Sequence, residues 1–207
     1  MYSCNFSKLL SVVCRVLTFC WEVISGVAMA GRQNIKNAHE QAIITAYVNW
    51  FNLNNNCSYK VIERPEPPDA ILYDSKTQHW TWIEHTDVPF CNDYMHTKYS
   101  WATPGEKEYK PKGPYVNFDL QHAHKFFHIV HNKLSKPAYQ KIALKYGPGT
   151  LVVILHSPWL SDETLEMINI IAKEKQMKNT TRYFKTIIIG DTSKEPYGFK
   201  EWIIPAC

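Results

Sequence analysis

The chain has 207 residues, of which 45% are hydrophobic and 20% are charged. This composition is typical of a chain that buries a core, and it excludes disordered, collagen-like and coiled-coil proteins. The 23 basic and 19 acidic side chains give a formal net charge of +4, which permits an anionic partner without indicating a dedicated polycation. The length predicts one domain with an appendage.

The first 30 residues form an apolar segment that we separate from a single domain over residues 31–207. The segment ends in a small-residue Ala-Met-Ala pattern that fits a signal-peptide cleavage site. Arg15 and Glu22 lie inside it, and a charge at the centre of a membrane helix costs about 2.5–3.5 kcal/mol. Three interpretations stay open: a secretory signal, a membrane anchor, and a start codon at Met29. We favour Met29, and we expect no stable membrane association.

The cysteines indicate the cellular compartment of the protein. None of the six forms a C-x-x-C pair, and the first three fall within the N-terminal segment. This pattern is typical neither of a disulfide framework nor of a zinc finger. We therefore expect a reducing, cytoplasmic environment.

Apolar spacing predicts the elements of the first half. Apolar residues recur three and four positions apart after Asn34, the expected N-cap, and predict a long amphipathic helix. The runs YKVIE, AILYD and HWTWIEHTDV are β-branched and aromatic, and they predict three consecutive antiparallel strands. Residues 91–117 are rich in proline, lysine and aromatic side chains, which is typical of a long functional loop.

The second half alternates helices with strands. A helical segment over 118–146 is expected to break near Pro137 and to stop at the Gly-Pro-Gly turn of 147–149. The apolar run TLVVILHS predicts a strand buried on both faces. A helix capped by Ser161, a strand KTIIIGD and a short last strand WIIPA complete the chain. The order predicts an α/β fold, a three-layer α/β/α sandwich around a central mixed sheet. No dinucleotide, P-loop or nucleophile-elbow motif follows a predicted strand.

Two acidic residues are the main candidates for chemistry. Asp69 immediately precedes the strand AILYD, and Glu84 lies within the next strand. Because side chains alternate along a strand, Glu84 shares a face with Thr86, while His85 points the other way and is expected to pack against the neighbouring layer. Carboxylates on adjacent strands can converge on Mg²⁺, which prefers one or two carboxylates plus waters and phosphate oxygens.

With the Pro-Asp dipeptide at 68–69 and Glu84 on the following strand, segment 35–156 resembles the PD-(D/E)xK, or restriction-endonuclease-like, nuclease superfamily. The resemblance implies a nuclease-like domain that uses Mg²⁺ or Mn²⁺ to hydrolyse phosphodiester bonds. It implies Asp69 and Glu84 as catalytic metal ligands and Glu40, on the first helix, as a third ligand. The implied partner is nucleic acid, with DNA favoured over RNA, and a homodimer stays open.

The chain departs from the superfamily pattern at one position. Thr86 stands where a lysine usually follows the glutamate by two residues, and that lysine is thought to orient or activate the attacking water. One interpretation is a migrated lysine, for which Lys133 and Lys136 on the following helix are the candidates and Lys76 is a weaker one. The other is a domain without catalysis, an inactive nucleic-acid-binding or protein-interaction module.

Histidines offer a competing metal hypothesis. His124, His128 and His131 share one helical face, a spacing that can present imidazoles to zinc. Neither an H-E-x-x-H motif nor a nearby cysteine pair accompanies them, so we assign no metal to this helix. The mixed aromatic and basic residues of the 91–117 loop suit phosphate contacts and base stacking.

Overall fold

The structure is a computed structural model that describes residues 32–90, 117–156, 161–177, 181–191 and 198–203. The described residues form four α-helices and six strands, in the order α1 (Arg32–Asn55), β1 (Tyr59–Glu63), β2 (Ala70–Asp74), β3 (His79–Pro89), α2 (Phe118–Ser135), α3 (Gln140–Tyr146), β4 (Gly149–His156), α4 (Asp162–Glu174), β5 (Phe184–Asp191) and β6 (Gly198–Glu201). The apolar segment and almost all of the predicted 91–117 loop lie outside the described residues.

The strands form one open mixed sheet, in which their spatial order is the same as their order in the chain. β1, β2 and β3 form an antiparallel meander, β3, β4 and β5 run parallel, and β6 returns antiparallel. The crossover from β3 to β4 contains α2 and α3, and the crossover from β4 to β5 contains α4. The carboxyl ends of the three parallel strands therefore share one edge, where open α/β sheets commonly bind ligands.

Helices cover both faces of the sheet. Ile43 of α1 packs against a face that includes Ile83, while Phe126 of α2 and Ile168 of α4 pack against the opposite face, around Trp82. β4 is buried at every residue because it has helices on both sides. These features confirm the predicted α/β class and its central mixed sheet. Among the described residues, no helix combines the length and the apolar character needed to cross a membrane.

Two predicted boundaries follow from local chemistry. The Ser161 side chain accepts a hydrogen bond of 3.2 Å from the backbone N–H of Thr164, which caps α4 as predicted. α2 ends before Pro137, and Lys136 is extended because a residue preceding proline disfavours the helical conformation. A 3₁₀ turn, Pro137–Tyr139, then joins α2 to α3.

Two other boundaries differ from the prediction. α1 begins at Arg32, so Asn34 lies inside the helix rather than at its cap. Within the described residues the last strand is Gly198–Glu201, upstream of the predicted WIIPA run, of which only Trp202 and Ile203 are described. The Trp202 side chain enters the core, and its indole N–H donates a hydrogen bond of 2.8 Å to Asn169 on α4. Its backbone N–H still donates a hydrogen bond of 2.9 Å to the Ile187 oxygen of β5.

Candidate functional site

Asp69 and Glu84 are neighbours across two strands. The antiparallel register pairs Ala70 with Ile83, so Asp69, one residue before Ala70, comes beside Glu84. Glu84 is 4% exposed and lies on the face that packs against α2, together with Trp82. β3 is an inner strand of the sheet, which excludes the interpretation of Glu84 as a solvated edge-strand residue.

The two carboxylates repel each other. Burial, followed by the charge of Glu84, raises the pKa of Asp69 to about 6. The backbone N–H of His85 acts in the other direction, because it donates a hydrogen bond of 2.6 Å to Asp69 Oδ2. A shared cation would relieve this repulsion, since opposite charge favours the ionised form of both groups.

A lysine of α2 reaches Glu84. Lys133 Nζ lies 2.5 Å from Glu84 Oε1, and the Tyr139 hydroxyl donates a hydrogen bond of 2.7 Å to the same oxygen. Burial and the adjacent Glu84 carboxylate raise the pKa of Tyr139, so this hydroxyl stays protonated and donates. The site therefore combines two carboxylates, a lysine and a phenol from three separate parts of the chain.

The two carboxylate oxygens of Glu84 differ in their hydrogen bonding. Glu84 Oε2 is buried and accepts no hydrogen bond from the residues that the structure describes. A buried carboxylate oxygen without a partner is costly. The unpaired oxygen of Glu84 and the raised pKa of Asp69 both indicate negative charge that a cation would stabilise. Asp69 and Glu84 are therefore suitable ligands for a hard divalent ion, which takes one or two protein carboxylates and completes its shell with water.

The other two candidate lysines lie elsewhere. Lys136 follows the last turn of α2, with Nζ 5.8 Å from the centroid of the Tyr139 ring, and it forms no ion pair with a described carboxylate. Lys76 lies in the β2–β3 turn, where Nζ donates to the backbone oxygen of Asn56 at 3.1 Å. Thr86 is buried on the same face as Glu84. Lys133 is thus the one predicted lysine that the fold brings to the carboxylates.

Glu40 lies near Asp69 without joining the carboxylate pair. Its carboxylate is 3.6 Å from Lys36 Nζ, one turn earlier on α1. Glu40 and Asp69 line a common cavity of about 250 Å³, to which Arg64 also contributes. Over the described part of the chain, Glu40 does not form a three-ligand group with Asp69 and Glu84 in which all ligand atoms lie within 4.8 Å of one another.

A second polar cluster lies on the opposite face of the sheet, beside α1. Asp87 Oδ1 lies 2.5 Å from His156 Nε2, 3.1 Å from His85 Nε2 and 3.4 Å from His39 Nε2. Burial acts to raise the pKa of Asp87, but the hydrogen bonds from the imidazoles outweigh burial and hold it well below its ordinary range.

Sequence reasoning missed this cluster. The alternation of β3 indicates that His85 and Asp87 share a face, but His39 and His156 are distant in the chain and only the fold brings them in. The histidines singled out from the sequence, His124, His128 and His131, lie exposed on α2. They belong to no described group of three close metal ligands.

No protein-family model, curated protein or solved structure matches this chain. The resemblance to the PD-(D/E)xK superfamily therefore stays a prediction.

Proposed function

We propose that this protein is a metal-dependent nuclease with a restriction-endonuclease-like fold, acting on DNA or RNA. The observation that carries the proposal is the ion pair of 2.5 Å between Lys133 Nζ and Glu84 Oε1, formed beside Asp69. Two carboxylates and a lysine are the set implied by the superfamily motif. Here the lysine comes from α2 instead of from the position of Thr86.

The element order supports the same proposal. The resemblance implies a helix, three strands of which the second and third carry the acidic residues, a second helix and a buried strand. The chain has α1, the β1–β3 meander with Asp69 and Glu84, α2, and β4 in that order. This agreement supports the proposal at the level of architecture.

Each side chain has a distinct task in the proposed reaction. Asp69 and Glu84 would hold Mg²⁺ or Mn²⁺, which when bound neutralises charge on the phosphate and lowers the pKa of a coordinated water. Lys133 pairs with Glu84 and would supply positive charge beside the scissile phosphate. Tyr139 fixes the orientation of Glu84 through its hydrogen bond of 2.7 Å.

The cavity beside Asp69 has one basic group among three carboxylates. Arg64 is exposed and lines this cavity of about 250 Å³ together with Glu40, Glu66 and Asp69. A guanidinium group binds phosphate oxygens through paired hydrogen bonds. The cavity thus offers a basic contact for the backbone of the substrate next to the proposed metal ligands.

One observation favours a second candidate, a nucleic-acid-binding module without catalysis. Glu84 is 4% exposed, and one of its oxygens is already neutralised by Lys133. A carboxylate in this state can serve as a buried structural ion pair. The two candidates differ in their need for a divalent ion, and this difference defines the experiment.

Cleavage of labelled single- and double-stranded DNA and of RNA by the full-length protein, with Mg²⁺, Mn²⁺ or EDTA, tests the proposal. We expect metal-dependent cleavage that falls at least about 100-fold in Asp69→Asn, Glu84→Gln and Lys133→Met. Lys136→Met is the matched control and should keep its activity. Circular dichroism verifies that each variant is folded.

The outcomes separate the candidates. Cleavage that is undiminished in both Asp69→Asn and Glu84→Gln would overturn the assignment of the site. Binding of nucleic acid that is equal with Mg²⁺ and with EDTA, without cleavage of any of the three polymers, would identify the non-catalytic module instead.

A further inference from the structure

We propose that His39, Asp87 and His156 form a binding site for a divalent transition metal, with Zn²⁺ as the reference ion. The site lies on the α1 face of the sheet, opposite Glu84, and it is independent of the proposed nuclease activity. His39, Asp87 and His156 form a group in which one ligand atom from each residue lies within 4.8 Å of the other two, and both imidazoles approach Asp87 Oδ1 through Nε2.

The distances are close to those of a coordination shell. Ligands that share Zn²⁺ at about 2.0–2.2 Å in tetrahedral geometry lie roughly 3.4 Å apart. His39 Nε2 already lies 3.4 Å from Asp87 Oδ1. His156 Nε2 lies 2.5 Å from the same oxygen, so these two side chains need to separate by about 1 Å when the ion enters.

The fold places the three ligands on separate rigid elements. Asp87 lies toward the carboxyl end of β3, His156 ends the adjacent parallel strand β4, and His39 comes from the first half of α1. The imidazole rings of His39 and His156 have centroids 5.5 Å apart. Ligands held by a helix and two sheet strands are positioned more accurately than ligands on loops.

Burial and access suit an exchangeable ion. The side chain of His156 is 1% exposed, whereas those of His39 and Asp87 are 12% and 18% exposed. An ion can therefore approach from the side of His39 and Asp87 and meet His156 at the bottom of the site. Three protein ligands leave a fourth position for water or an anionic ligand, which is the pattern of a reactive zinc site and not of a closed structural one.

The ligand types decide which ion fits. Imidazole nitrogen suits Zn²⁺, Cu²⁺, Ni²⁺ and Fe²⁺, whereas Mg²⁺ and Ca²⁺ prefer oxygen ligands. The cluster of His39, Asp87 and His156 thus differs in chemistry from the carboxylate pair of Asp69 and Glu84. Each face of the sheet selects its own class of ion.

His85 acts as a positioning residue for Asp87. Its Nε2 lies 3.1 Å from Asp87 Oδ1, and its ring is almost fully buried. Groups that hydrogen-bond a metal-ligating carboxylate fix its orientation and tune its affinity. Replacing His85 should therefore weaken the site less than replacing a ligand.

The rival interpretation is a metal-free network in which the imidazoles donate hydrogen bonds to Asp87. A carboxylate oxygen has two lone pairs. Three imidazole nitrogens, from His39, His85 and His156, approach the single oxygen Oδ1. One oxygen is poorly suited to accept three hydrogen bonds. A cation bound by His39, His156 and Asp87 would instead accept a lone pair from one atom of each side chain.

Titration of the EDTA-treated, dialysed full-length protein with ZnCl₂ by isothermal titration calorimetry tests the proposal. We expect one Zn²⁺ per chain at the site, with affinity falling at least about 100-fold in Asp87→Asn, His156→Asn and His39→Asn. His124→Asn, at an exposed histidine of α2, is the matched control and should bind Zn²⁺ as the wild type does.

The visible absorption of bound Co²⁺ provides a second readout, independent of calorimetry. The wild-type protein loaded with Co²⁺ should show the intense visible absorption of a tetrahedral nitrogen–oxygen site, and His39→Asn should lose it. Wild-type protein without stoichiometric Zn²⁺ binding overturns the proposal, as does unchanged binding in all three ligand variants. His39 is a partly exposed helix residue, so its variant keeps the test decisive if a buried variant does not fold.

Discussion

The carboxylate of Asp69 accepts a hydrogen bond of 2.6 Å from the backbone N–H of His85, the residue that follows Glu84 on β3. This bond holds Asp69 beside a carboxylate that repels it. The His85 ring extends to the other face of the sheet, where it contacts Asp87. One residue of β3 thus links the carboxylate pair on the α2 face to the histidine cluster on the α1 face.

Two substitutions separate the contribution of the Asp69–His85 hydrogen bond to stability from that of the Asp69 charge. Asp69→Asn keeps an acceptor for the His85 N–H and removes the repulsion from Glu84, so its free energy of unfolding at pH 7.5 should equal or exceed that of the wild type. Asp69→Ala loses the acceptor and should be about 1 kcal/mol less stable than Asp69→Asn. Urea denaturation measures both. Equal stability of the two variants would show that the hydrogen bond contributes nothing.

Asp69 should titrate well above an ordinary aspartate in metal-free protein. Burial and the charge of Glu84 raise its pKa to about 6, against about 3.9 in an unfolded chain. The folded state therefore binds the proton of the Asp69 carboxyl group more tightly than the unfolded chain does. Protonated Asp69 makes its full contribution to the free energy of unfolding below about pH 4, and this contribution is lost as the pH rises through about 6. Carbon-13 NMR of the Asp69 carboxyl group in EDTA measures the midpoint.

Glu84→Gln tests the cause of this shift. Removing the Glu84 charge should lower the titration midpoint of Asp69. Burial should still keep this midpoint above the ordinary pKa of an aspartate. A wild-type midpoint near 4, or a midpoint that does not change in Glu84→Gln, would contradict the proximity of the two carboxylates.

The proposal that Lys133 replaces the usual motif lysine can be tested by placing a lysine at position 86. Thr86 is buried on the same face as Glu84, two residues further along β3, where the superfamily usually has lysine. If the proposed nuclease activity is present, Lys133→Met should abolish it, and adding Thr86→Lys should raise the rate at least about 10-fold above that of Lys133→Met alone. Thr86→Met in the Lys133→Met background is the size-matched control. Equal rates with lysine and methionine at position 86 would contradict the assigned task of Lys133.

Gly149, the first residue of β4, should be sensitive to an added side chain. A Cβ at Gly149 would lie 2.7 Å from the backbone oxygen of Trp82 and closer still to its buried indole ring. Gly149→Ala should therefore cost about 1–3 kcal/mol of unfolding free energy by overpacking. Urea denaturation of the purified variant measures this loss.

Gly147→Ala is the comparison for this substitution. Gly147 has a φ of 76° and a ψ of −179°, a backbone conformation essentially restricted to glycine. An added Cβ would meet nothing within 4 Å, so the expected cost of about 1–3 kcal/mol is backbone strain and not overpacking. A wild-type stability for Gly149→Ala would contradict the packing at this junction, whatever the loss in Gly147→Ala.

Local chemistry made several elements predictable from the sequence. The Ser161 cap, the break before Pro137 and the apolar run of β4 each depend on neighbouring residues or on burial of a continuous segment. Strand alternation likewise placed Glu84 and His85 on opposite faces. These features need no knowledge of distant contacts, because backbone sterics and the period of the strand determine them.

Tertiary structure decided which side chains meet. The sequence by itself offered three lysines, and the path of α2 over the sheet brings Lys133 to Glu84 while Lys136 lies beyond the end of that helix. The sequence also contains His39 and His156, but no motif in it connects them to Asp87. Contacts between residues far apart in the chain arise from helix packing and strand order, and they leave no periodic signal in the sequence because each partner satisfies only its own local pattern.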